Sequence, residues 1–115
     1  MSNPFEEQNE IMTKKEFFIK KVIPQIEEQI FNYEFQLIRN QYILERLEKE
    51  LESLEKNFVF QAGDNVEKIL REKAQRKAEI KQQIEEVKRN LAYLPLLKEE
   101  EEKFLEYFKK IVEKL

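Results

Sequence analysis

The stretch IPQIEEQIFNYEFQLIRNQYILERLEKELESLEKNF, residues 23–58, returns to an apolar side chain every three and then four residues, through Ile23, Ile26, Ile30, Tyr33, Leu37, Leu44, Leu47, Leu51, Leu54 and Phe58. Only Asn40 interrupts the row. This spacing marks one face of an α-helix and the core positions of a coiled coil. A second row runs through Val66, Leu70, Lys73, Lys77, Ile80, Ile84, Val87, Leu91 and Leu94. Folding the chain back at Gly63 sets Leu54 against Leu70, Leu47 against Lys77, Leu44 against Ile80 and Leu37 against Val87, and the numbers of each pair add to 124. A constant total is what an antiparallel pair of helices requires. The expected fold is all-α: an antiparallel coiled-coil helical hairpin, with short N- and C-terminal helices packed on its base to form a helical bundle.

Boundaries follow from the punctuation. Thr13 with Glu16 three residues on is a capping box, and Met12 is placed to staple onto Phe17. A short helix is expected over 13–22. Pro24 lacks a donor and crowds the carbonyl four residues earlier, so the chain is expected to break or kink near Val22 and Ile23 before a long helix over 24–57. The single glycine, Gly63, lies in a tip loop over 58–65, with Asp64 and Glu67 as the start of the next long helix, 66–93. Pro95 is expected to separate that helix from a final one over 96–115. The last helix opens on Glu99, Glu100, Glu101 and Glu102 and closes on Lys109, Lys110 and Lys114, in keeping with the helix dipole.

Composition limits the chemistry. The 115 residues suit a single domain, and Ala, Glu, Lys, Leu and Arg fill more than half of them, as in coiled coils. There is no His, no Cys and one Asp, so the usual acids, bases, nucleophiles and thiolate ligands are nearly absent. A di-metal bundle site wants a Glu followed by His three residues later, and one glycine cannot build a phosphate loop. A non-enzyme with no cofactor and no metal is expected. The longest apolar run, 91–97, is far short of the roughly 18 residues of a membrane span, and no leader is read before the first helix. The expected setting is cytoplasmic.

Three places stand out as contact surfaces. At the tip, Phe58, Val59 and Phe60 put bulky apolar groups where a narrow hairpin has little core to cover them, which points to a protein partner. On the first long helix, Phe31, Phe35, Ile38 and Tyr42 form a second stripe away from the seam. The last helix, with Phe104 and Phe108, and the first arm are expected to cover it, within one chain or in a homodimer. On the second long helix, residues 68–81 carry Lys68, Arg71, Lys73, Arg76, Lys77 and Lys81 against Glu72 and Glu79. Such a stretch can track phosphates of a nucleic acid, with Lys68, Arg71, Arg76 and Lys81 as contacts. The opposing glutamates of 45–55 offer a competing use, for example Glu50 against Arg76. A protein-interaction module of the adaptor, export or assembly chaperone, or inhibitor kind is the leading expectation, with nucleic-acid association or a structural spacer as alternatives.

Overall fold

The computed structural model describes residues 12–56 and 65–115, and these are almost wholly helical. Thr13 is extended at the first cap, and its hydroxyl accepts a hydrogen bond from the Glu16 amide at 3.1 Å. Helix α1 (Lys14–Phe17) leads into a π turn (Phe18–Val22), which leads into α2 (Ile23–Lys56). Helix α3 spans Val66–Glu113. Its first amides are satisfied by Asn65, whose Oδ1 accepts from Lys68 N–H at 3.0 Å. The cap is therefore Asn65; Asp64, expected to start this helix, lies outside the described residues.

Neither proline ends its helix. Around Pro24 the chain widens instead of breaking: the Ile23 amide reaches five residues back to the Phe18 carbonyl. Pro24 has no N–H to offer, and the wide turn relieves its ring's clash with the preceding turn. Pro95 sits inside α3, where the expected separation of 66–93 from 96–115 does not occur. It forfeits the bond to the Leu91 carbonyl, but helix formers on both sides supply an unbroken ladder before and after it.

The chain divides into two compact parts. In Tyr33–Leu96, Leu47 of α2 packs into Ile80, Ile84 and Val87 of α3, bordered by Ile43, Leu44, Leu51, Leu54 and Leu91. Ile80 is fully enclosed. Ile43 lies outside the expected row and joins the core from its edge. Asn40 meets Asn90, whereas farther along α2 Glu50 meets Arg76 and Glu55 meets Lys77, so the two helices run in opposite directions here. Asn40 is half-buried: its Nδ2 donates to the Gln36 carbonyl at 2.7 Å, and its Oδ1 accepts from Asn90 Nδ2 at 3.3 Å.

The other part joins the described residues of Met1–Asn32 to Leu97–Leu115. Ile26, Ile30 and Val112 are buried in it. Phe18 of the π turn sets its edge against Phe108, ring centres 5.0 Å apart, and Phe108 stacks on Phe104 at 6.0 Å. The first arm and the end of the chain thus use their aromatic rings on each other. The buried residues described are all apolar.

Two stability measurements follow. Ile80→Ala removes the most enclosed side chain and is expected to lower unfolding free energy by about 2–4 kcal/mol in urea titrations. Pro95→Ala restores a backbone donor at an exposed position and is expected to raise it by about 1–3 kcal/mol.

Candidate functional site

A helix paired with one other helix can bury one stripe; a second stripe stays in water. On α2 the second stripe is Phe35, Ile38 and Tyr42, three and four residues apart, which are 57%, 70% and 64% exposed. They lie on the same helix as Leu37, Leu44 and Leu47 but rotated away from the core that those residues enter. Phe31, in the other compact part, is exposed as well. In that other part Phe18 of the first arm packs on Phe108 of the last turns.

Helix α3 contributes Tyr93 and Leu96 to the surface of the Tyr33–Leu96 part. With Arg89, Asn90 and Ala92 they line a shallow open depression of about 460 Å³. Its floor is apolar with one guanidinium at the rim, a surface suited to contact and lacking a paired acid and base. Sequence reasoning missed Tyr93 and Leu96. Their signal was present in the run 91–97, where a pair three residues apart stands out of phase with Leu91 and Leu94.

The positive charge of 68–81 is largely answered within the chain. Arg76 donates through Nε to Glu50 Oε1 at 3.1 Å and through Nη2 to the same oxygen, and its Nη1 approaches Glu79 at 3.4 Å. Hydrogen bonding to Glu50 and then its charge raise the guanidinium pKa above its ordinary high value; desolvation opposes them, and Glu79 adds a lesser upward push. Lys77 reaches Glu55 at 3.6 Å, Arg71 reaches Glu67 at 3.6 Å, and Lys68 lies 3.9 Å from Glu72. Lys81 is exposed. The Glu50–Arg76 pair is the one the flanking positions called for. The structure brings Arg76 and Lys77 to α2, and it leaves Lys68, Arg71 and Lys81 on the outer surface of α3.

Phe58, Val59 and Phe60 lie outside the described residues. Among the described residues, no group of three or more His, Cys, Asp or Glu stands close enough to hold a metal ion. No described helix is long and apolar enough to cross a membrane. No protein-family model, curated protein or solved structure matches the chain.

Charge reversal tests the cross-helix pair. Glu50→Arg and Arg76→Glu are each expected to lower the thermal midpoint, and the double reversal to recover most of the loss, as read by circular dichroism at low salt.

Proposed function

We propose that this chain is a non-catalytic protein–protein interaction module of the adaptor, export or assembly chaperone, or inhibitor kind. In this reading α2 and α3 form an antiparallel coiled-coil hairpin whose outer face receives a partner. The observation that carries it is the exposure of Phe35, Ile38 and Tyr42 on one face of a helix whose opposite face is already in use. Three large apolar groups held in water at helical spacing lose free energy of hydration when covered, by about 25 cal/mol per Å². A partner helix or groove meets such a row through anchors three, four and seven residues apart. Tip residues Phe58, Val59 and Phe60 are a second proposed contact, and the proposed setting is the cytoplasm.

The ion pairs around Arg76 and Lys77 favour protein contact over nucleic-acid association, since a phosphate would have to displace carboxylates already in place. A spacer role would leave the outer stripe without a use.

The test is affinity capture from host lysate with the wild-type chain, Phe35→Ser/Ile38→Ser, and Phe60→Ser, each checked for helicity. One protein held by wild type and weakened at least about tenfold by the double variant is expected, as for loss of central anchors. Loss with Phe60→Ser alone would move the contact to the tip. An empty catch with all three chains would favour the spacer role.

A further inference from the structure

The last turns of α3 carry another outward row, and its order is unusual. Glu100, Phe104, Tyr107 and Ile111 follow one another at intervals of four, three and four residues along one helical face, and Lys114, in the turn that closes the helix after Glu113, stands three residues further on. Tyr107 is at the centre. An apolar residue lies on each side of it, an acid stands seven residues before, and a base stands seven residues after. Phe104, Tyr107 and Ile111 are 49%, 63% and 39% exposed, and Leu115, just beyond the row, is 54% exposed. Val112, one residue from the row, is buried.

The neighbouring charges are partly spent. Lys103 pairs with Glu99 at 3.3 Å and Lys110 with Glu106 at 3.5 Å, so the charges flanking the middle of the row are answered. Glu100 and Lys114 mark the two ends of the row, and both are exposed.

We propose that this row is a self-association surface on which a second copy of the chain docks antiparallel. A twofold axis at Tyr107 brings Tyr107 of both copies together, sets Phe104 near Ile111 of the second copy, and lays Glu100 against Lys114 of the second copy, twice by symmetry. The parallel arrangement opposes Glu100 to Glu100 and Lys114 to Lys114, so charge selects the antiparallel one. The run of glutamates over 99–102 disfavours an anionic lipid surface as the occupant. Since a whole aromatic side chain buries about 150–250 Å², the half-exposed row offers roughly 300–400 Å² per copy. That is less than the about 800 Å² per partner of a standard interface, and the dimer is accordingly weak, with Kd on the order of 10–100 µM.

The inference goes beyond the proposed function and stands on a different helix. Its test uses the purified full chain alone, so it can fail or succeed independently of lysate capture. Sedimentation equilibrium from about 1 µM to 1 mM is expected to show a reversible monomer–dimer equilibrium bracketing that Kd. Tyr107→Lys is expected to raise Kd more than about tenfold. Glu100→Lys and Lys114→Glu, at exposed sites outside the core, each raise it about fivefold at low salt, and the double exchange returns it to within about twofold of wild type. A wild-type chain that stays monomeric throughout, whether or not it binds anionic vesicles, would overturn the proposal. So would a dimer indifferent to Tyr107→Lys, or a double exchange no better than the single ones.

Discussion

Leu47, held among Ile80, Ile84 and Val87, is the contact on which the Tyr33–Leu96 part depends. Two helices side by side enclose a core one side chain deep, and each helix can commit a single stripe to it. Much follows from that narrowness. Charges that flank the stripe come within reach of the opposite helix, as Glu50 and Arg76 do, and long side chains such as Lys73 and Lys77 become half-buried in the seam by their stems. Large apolar residues well off the stripe, such as Phe35, Ile38 and Tyr42, are left facing outward.

The same restriction gives the half-buried Asn40, which meets an exposed Asn90, its meaning. Asn40 replaces an aliphatic residue in the row and would leave an amide poorly satisfied against hydrocarbon. Its bond to the Gln36 carbonyl, within α2, meets part of that need in any alignment, and the bond from Asn90 adds to it in one alignment of the helices. Sliding either helix by a heptad would separate the two amides while still burying leucines. The apolar seam favours association in general; the amide pair discriminates between alignments.

Much of the architecture was legible because heptad spacing is a long, redundant signal. Leu47, Ile80, Ile84 and Val87 declare themselves by their intervals, and the Glu50–Arg76 pair follows once the seam is known. At Pro24 the expected disturbance near Val22 and Ile23 takes the form of the π turn, whereas Pro95 was misread for a physical reason. The rule that a proline ends a helix weighs one missing bond and one clash, and Pro95 is flanked by turns whose many bonds persist on either side. The outer faces were legible as stripes in Phe31, Phe35, Ile38 and Tyr42, but not in what covers them. Periodicity reports which side chains share a face and carries no information on whether another element reaches it. Among the described residues, Phe18 and Phe108 are each other's neighbours.

The π turn at Phe18–Val22 also works as a phase adjuster. An α-helix advances about 100° per residue, so a uniform helix traced backward from Ile26 would carry Phe18 well to one side of the buried face. A turn closed over five residues takes up the excess and brings Phe18 back into line with Val22 and Ile26. The extra residue accommodated beside Pro24 therefore synchronises two apolar segments that an even spiral would leave out of step. Deleting one residue from this turn would leave a regular helix with Phe18 seven residues from Ile26 and still on the same face, whereas straightening the turn at its full length would rotate Phe18 away from Phe108; at this chain length regularity and correct packing are opposed.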